Sequence, residues 1–435
     1  MEKVKPRTLT GFMELLPNEQ IEFERFIEIL RSSYVKYGFY PLDTPVLESS
    51  SVLLAKAGGE TEKQIYRFKK GDTDLTMRFD LTVPLAKYVA LNYNELNFPF
   101  KRYQIGKVYR GERAQKGRFR EFYQADIDII GDGELSVVHD AEIPSIIYDI
   151  FKALGINSFK IRINNRKLLT GFFEIKNMSD KVEDILRTID KLEKIGEEKV
   201  IAELADFGVD NETAKDILSF VNTNGTNSEK LDAANQYFGK NETFDAGLNE
   251  LRQVSDMIRL FGVPEDNFII DFSIARGLDY YTGTVYETVI TNHPEFGSVC
   301  SGGRYDNLAE FYTDRKLPGV GISIGATRLF SVLKETGFFD FDKASPIDAL
   351  IIPMTENIKY CIKVMTELRQ NGIKVQTYFE DKKLKKKMNY ANKINVPYAI
   401  IIGDNEIADN KLALKNLETG EQIICSVKEA AEVIL

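Results

Sequence analysis

Four arginines and one lysine fall in the short stretch R-G-E-R-A-Q-K-G-R-F-R, from Arg110 to Arg120. Guanidinium groups pair bidentately with phosphate oxygens, so such a loop can close over a phosphorylated ligand. Alternation comes directly after it. Phe119, Glu121, Tyr123, Ala125, Ile127 and Ile129 share one strand face, and Arg120, Phe122, Gln124, Asp126 and Asp128 share the other. The second face would make a poor core and suits the floor of a polar site. An exposed hairpin laced with surface ion pairs is the competing reading. Upstream, Asp80 and Thr82 stand where a strand gives way to a helix. One of them can cap that helix, or the carboxylate can hold a substrate ammonium. Downstream, Arg276 precedes Tyr280 and Tyr281 in R-G-L-D-Y-Y-T-G, and Arg328 follows the glycine-rich G-V-G-I-S-I-G. With only two histidines in the chain, a multi-histidine metal centre is excluded and a histidine-based triad is disfavoured.

Periodicity names the elements that must position these residues. Val108–Arg110 and Phe119–Ile129 read as strands around the loop from Gly111 to Arg118. Residues 18–37 read as a helix with Asn18 as N-cap and Phe23, Phe26, Ile27, Leu30 and Tyr34 on one side; Gly38 ends it, and Pro41 and Pro45 interrupt the extended segment beyond. Leu75, Met77 and Phe79 form a strand that turns helical at Val83, with Pro84 tolerated in the first turn. A helix over 137–154 and a strand in F-K-I-R-I-N-N come next. From 172 to 256 the chain is helix-like and rich in Glu, Lys and Asp, with Val182, Ile185, Leu186, Ile189 and Leu192 as one stripe. That segment reads as a helical insertion splitting the main domain, either solvated or in contact with RNA. Strands flank R-G-L-D-Y-Y-T-G, which alone would read as a hairpin. Val320–Ile324 is a strand running into the helix that carries Arg328, where Gly321 and Gly325 allow close backbone approach.

Beyond a linker near Gly337–Ser345, strands and helices alternate, which argues for a small α/β domain with a largely parallel sheet. Lys382–Lys387 is its basic patch, either a solvated helix face or a phosphate contact. The chain has 435 residues, 43% hydrophobic and 28% charged, enough for two or three domains with a large core. A net charge of −9 argues against indiscriminate coating of nucleic acid. No apolar run suggests a signal peptide or membrane span, and three scattered cysteines read as reduced thiols, so a cytoplasmic location is expected.

The segment Y-R-G-E-R-A-Q-K-G-R-F-R-E-F-Y-Q resembles motif 2 of class II aminoacyl-tRNA synthetases in its histidyl version. R-F-D-L-T, A-R-G-L-D-Y-Y-T-G-T-V-Y-E and the strand–helix junction at Arg328 (motif 3) follow the same family in order. The first helix and its Pro-containing strand resemble motif 1, and the tail resembles the anticodon-binding domain; together these cover essentially the whole chain. The resemblance implies an α+β fold: an antiparallel sheet core flanked by helices (1–171 and 257–336), the helical insertion (172–256) and a C-terminal α/β anticodon-binding domain (346–435). It implies activation of L-histidine with ATP and transfer to histidine tRNA, by a homodimer, with Mg2+ on the ATP phosphates and no dedicated metal cage. Arg110 and Arg276 would meet the α-phosphate, Arg276 replacing a metal used by related enzymes. Arg328 and Phe122 would hold the adenine, with Glu112 completing the ATP contacts. Asp80, Leu81 and Thr82 would receive the histidine ammonium, Gln124 its carboxylate, and Asp128, Tyr280 and Tyr281 its imidazole. M-R-F-D-L-T departs from the R-P-E-G-T block of other histidyl enzymes, and the shorter arm of Asp80 changes its reach. A non-catalytic paralogue that binds histidine and regulates its biosynthesis is the alternative.

Overall fold

The computed structural model describes residues 3–55, 64–113, 117–189, 191–274, 281–341 and 345–435. In the first unit, residues 1–14 and 26–336, the strands are β1 (Tyr40–Pro41), β2 (Leu47–Ser49), β3 (Arg67–Lys70), β4 (Thr73–Met77), β5 (Phe100–Tyr109), β6 (Glu121–Ile130), β7 (Phe159–Asn165), β8 (Phe268–Ile270), β9 (Thr284–Ile290), β10 (Ser298–Tyr305) and β11 (Gly319–Ile324). Eight of them form one sheet in the order β1-β5-β6-β11-β10-β9-β7-β8, and β2, β4 and β3 form a small second one. Every pairing from β5 across to β7 is antiparallel; only the edge pairs β1–β5 and β7–β8 are parallel.

The hairpin of β5 and β6 is the spine. It pairs from Phe100 opposite Ile130 to Tyr109 opposite Glu121, so β5 is far longer than the stretch expected around Val108. Its partner begins at Glu121 rather than Phe119, because the Arg120 backbone N–H donates to the Gly11 carbonyl at 2.8 Å instead of back across the hairpin to Arg110. Ala125, Ile127 and Ile129 are fully buried on the core face. Against that face lie residues 26–36 of the helix Pro17–Lys36, which bury Phe26, Leu30 and Tyr34; the Tyr34 hydroxyl donates to the Ala125 carbonyl at 3.0 Å. This helix starts at Pro17, a favoured first position, so Asn18 lies inside the first turn instead of capping it.

The strands that flank R-G-L-D-Y-Y-T-G do not pair with each other, since β7 lies between β8 and β9. Six helices of four or more residues, from Val182–Ile189 to Glu242–Leu260, occupy the expected insertion among the described residues. The helices Arg166–Ile175 and Glu242–Leu260 cross backbone to backbone. A Cβ added to Gly171 would lie 2.3 Å from the Phe244 nitrogen, and one added to Gly247 would lie 2.3 Å from that of Leu168. Phe220 stacks between Phe172 and Phe272, with ring centres 4.2 and 4.9 Å away.

The second unit, residues 15–25 and 337–435, holds β12 (Ala349–Met354), β13 (Val375–Thr377), β14 (Tyr398–Gly403), β15 (Leu412–Asn416) and β16 (Gln422–Cys425), in the order β13-β12-β14-β15-β16. Two pairings are parallel and two antiparallel, so the sheet is mixed rather than largely parallel. The reason is local: a five-residue turn with Gly420 at φ +81 joins β15 to β16, too short for a crossover. Lys387 leaves the basic patch. It is buried and donates from Nζ to the Pro353 carbonyl at 2.6 Å, while Lys382, Lys383, Lys385 and Lys386 stay exposed. No helix among the described residues is long and apolar enough to cross a membrane.

Candidate active site

The polar face of β6 floors a cleft of about 1240 Å³. Phe122, Gln124, Asp126 and Asp128 line it, as the alternation requires, joined by Asp80, Thr82, Arg110, Glu112, Tyr281 and Arg328. Leu81 stands behind this wall, fully buried, with its carbonyl accepting from Arg102 at 3.1 Å. Arg276 and Tyr280 lie outside the described residues.

At one part of the cleft the cations gather. Arg110, just past β5, donates from Nε to the Phe79 carbonyl at 3.0 Å, and its guanidinium sits 5.2 Å from the centre of the Phe122 ring. Glu112 approaches Arg118 at 3.5 Å. Arg328 projects from the first turn of the helix Ala326–Glu335 and donates to the Phe296 carbonyl. A methyl on Gly117 or on Gly297 would touch its side chain, at 3.9 and 3.6 Å. Fixed cations over an open cleft, beside an aromatic face, suit a nucleotide with its phosphates.

Elsewhere the cleft is acidic and buried. Asp80 caps the helix and keeps its second oxygen uncommitted. Its Oδ1 accepts the Val83 backbone N–H at 3.1 Å, holding the start of the helix Thr82–Leu91, while Oδ2 is buried with no hydrogen-bond partner. Burial pushes its carboxyl up to about 6. Gln124 donates from Nε2 to Ser323 Oγ at 2.6 Å, which leaves its Oε1 as a second buried acceptor without a partner. Two such acceptors on one wall are suited to a ligand rich in N–H donors.

Asp128 is held from two sides. Arg102, wholly buried on β5 and directly opposite it in register, pairs with Oδ2 at 2.6 Å, and the Tyr305 hydroxyl donates to Oδ1 at 2.7 Å. Burial raises the Asp128 carboxyl, and the Arg102 charge and the Tyr305 hydrogen bond oppose it. Gly321 makes the space: a Cβ there would stand 2.3 Å from Asp128 Oδ1. Tyr281 lies over Gly303 in the same way, 3.0 Å from where a Cβ would be.

Arg102, Tyr305 and Ser323 had no expected role, and Asp126 had none beyond its strand face. Arg102 left a signal, as a lone arginine within F-K-R-Y-Q-I-G that hairpin register sets opposite Asp128. Tyr305 and Ser323 reach the site only through the β6–β11–β10 pairing, which no local pattern announces.

With this geometry in view, the chain matches the family model described as "Histidyl-tRNA synthetase" over residues 11–329, and that of an anticodon binding domain over 348–435. It is 56% identical to a protein of Clostridium tetani named "Histidine--tRNA ligase", covering 99% of this chain and 98% of that one. A crystal structure of histidyl-tRNA synthetase from Nostoc sp. PCC 7120 superposes with a TM-score of 0.91 at 42% identity, covering 99% of both chains. A Bacillus halodurans structure titled as an ATP phosphoribosyltransferase regulatory subunit/histidyl-tRNA synthetase shares the fold, with a TM-score of 0.75 at 17% identity and coverage of 89% of this chain and 97% of that one. Motif order, an antiparallel sheet with a cationic and acidic cleft, and likeness along the full length agree: the chain belongs to the histidyl-tRNA synthetase family.

Proposed function

We propose that this protein is a histidine–tRNA ligase. A histidine carboxylate oxygen attacks the α-phosphorus of ATP, the bond to pyrophosphate breaks, and histidyl-adenylate forms. A ribose hydroxyl at the 3′ end of histidine tRNA then takes the histidyl group and AMP leaves. Negative charge builds on phosphate oxygens in the first step, so preorganised cations are the device that stabilises it. Arg110 and Arg276 take that role at the α-phosphate, and Arg328 with Phe122 holds the adenine, with Glu112 beside them. Mg2+ carried with ATP would supply positive charge at the phosphates, and the carboxylates of Glu112 and Glu287 on the cleft wall would be the protein's oxygen donors to it.

One observation carries the amino-acid assignment: unpartnered Asp80 Oδ2 and Gln124 Oε1 share a cleft with a carboxylate, Asp128, fixed by Arg102 and Tyr305. Asp80, Leu81 and Thr82 form the ammonium subsite. Because the Gln124 nitrogen is committed to Ser323, its outward carbonyl serves the ammonium better than the carboxylate first expected for it. Asp128, Tyr280 and Tyr281 read the imidazole, whose ring nitrogens need both a donor and an acceptor. In the same proposal 1–171 and 257–336 form the catalytic domain, 172–256 the insertion and 346–435 the anticodon-binding domain of a homodimer. The non-catalytic paralogue is disfavoured because Arg110, Arg276 and Arg328 are all retained and the anticodon-binding tail is present.

The test is pyrophosphate exchange into ATP without tRNA, each of the twenty amino acids offered alone. Exchange with histidine only is expected, and Arg276→Ala should lower it about 100-fold or more, the scale of losing one fixed charge-stabilising donor. Exchange driven by another amino acid would overturn the assignment of Asp128, Tyr280 and Tyr281. Histidine binding without exchange would favour the regulatory paralogue.

A further inference from the structure

The β6–β11 ladder stops at the pair Ala125–Ile324, because the chain turns at Gly325 into the helix Ala326–Glu335. Both residues assigned to the adenine lie past that point. Phe122 is three positions beyond Ala125 on β6, and Arg328 is four beyond Ile324, in the first turn of the helix. A flat base held between two side chains needs a gap of fixed width, and the backbone ladder no longer sets it there. A side-chain bond crosses that gap instead. The Thr327 hydroxyl, on a residue 1% exposed, accepts the backbone N–H of Tyr123 at 2.8 Å. Thr327 adjoins Arg328 and Tyr123 adjoins Phe122, so the bond ties the two wall groups together one residue behind each.

We propose that Thr327 is a positioning residue for the nucleotide: through Tyr123 it sets the spacing between Phe122 and Arg328, and so the fit of the adenine between them. The other bonds at this end act on one wall at a time. Phe122 pairs with Val108 on β5, and Arg328 donates to the Phe296 carbonyl. Those contacts fix each group to its own neighbours, and the Thr327 bond fixes the groups to each other. This deepens the proposed function and rests on it, because it takes Phe122 and Arg328 as the adenine subsite.

The chemistry of the bond makes it separable from packing. Valine has the shape of threonine without the acceptor, and serine keeps the acceptor without the methyl. At this burial solvent does not stand in for the hydroxyl. Its loss deprives the Tyr123 N–H of its acceptor, and the end of β6 shifts to find another. Phe122 moves with it while Arg328 stays with its helix, so the cost falls on the nucleotide. Gln124 and Asp128, further along β6, keep their own bonds to Ser323 and to Arg102 and Tyr305. Histidine binding is therefore spared. A residue that only stabilised the fold would lower the amount of active enzyme, and with it kcat, at unchanged KM.

The experiment is histidine-dependent pyrophosphate exchange by the full-length enzyme, with KM measured separately for ATP and for histidine in wild type, Thr327→Val, Thr327→Ala and Thr327→Ser. Thr327→Val and Thr327→Ala should each raise the KM for ATP about threefold to tenfold, the worth of one hydrogen bond, and leave that for histidine nearly unchanged. Thr327→Ser should keep both close to wild type. Thr327→Ala repeats the loss of the acceptor without the methyl that valine puts in its place. Once Phe122→Ala has removed one wall, adding Thr327→Val should raise the KM for ATP by less than about twofold, since the two positions act as a unit. An ATP KM unchanged in Thr327→Val and Thr327→Ala would overturn this inference alone. So would a loss in Thr327→Ser equal to that in Thr327→Val, or an effect of Thr327→Val undiminished beside Phe122→Ala. No histidine-dependent exchange by wild type would overturn the functional reading and this inference together.

Discussion

Arg102 lies at 0% exposure with its charge met by one carboxylate, Asp128. Removing one partner of a buried ion pair leaves the other uncompensated and costs about 3–5 kcal/mol. Arg102→Leu should therefore lower the urea midpoint and raise the Asp128 carboxyl further, and histidine KM should rise with it; an unchanged midpoint would contradict this account of the pair. The raised carboxyls of Asp80 and Asp126 also fix a pH trend. In the unfolded chain both titrate near the ordinary aspartate value, and in the folded protein near 6 and 7. The folded state holds more protons between about pH 4 and 7, so their contribution to stability is full below that window and is lost as pH rises through it. Urea unfolding of the ligand-free protein should show a shallower loss from pH 5 to 7.5 in Asp126→Asn than in wild type, since that variant removes one titration. At this scale the types of the site residues were legible in the sequence and their partners were not. Asp80 could be read as a cap or as an ammonium ligand; one oxygen makes the cap and the other has no partner. Arg102 and Ser323 touch the site through strand pairing between residues far apart in the chain.

Among the elements, β11 is constrained most tightly. Gly321 lies opposite Asp128, and a methyl there would meet Asp128 Oδ1 and the Ile127 carbonyl at 2.3 Å each. Overpacking of this kind costs about 1–3 kcal/mol. Gly321→Ala should lower stability by that amount and raise histidine KM, whereas Gly325→Ala, whose nearest contact is 3.5 Å away, should be close to neutral in stability. Thermal unfolding of the two variants side by side checks the contrast. The β5–β6 hairpin was readable because alternation and a polar loop are local signals. The separation of β8 from β9 was not: β8 has only three residues, and nothing in R-G-L-D-Y-Y-T-G reveals that β7 intervenes. The β15–β16 hairpin escaped for a similar reason, with K-N-L-E-T-G-E lacking a two-residue turn signature.

For the whole molecule, the exposed lysines of the second unit offer a test that separates tRNA binding from amino-acid activation. Changing Lys382, Lys383, Lys385 and Lys386 together to Ala should weaken tRNA binding, flatten its dependence on salt and leave pyrophosphate exchange intact; filter binding across a salt series would read it. Lys387 belongs outside that set, because its ammonium holds the Pro353 carbonyl inside the unit. Domain order was legible from composition and motif order. How the helical segment meets the sheet was not, since the stack of Phe172, Phe220 and Phe272 joins residues a hundred positions apart. Phe220→Ala should cost about 3–5 kcal/mol, as truncation of a buried aromatic does. Phe272 is followed at once by Ser273 and Ile274 on the cleft wall, and Ile189 and Leu192 from the helical segment line the same cleft. The helices are thus masonry shared between two rooms. A shortened gene lacking them would not yield a trimmed enzyme, but one whose substrate chamber is missing a side.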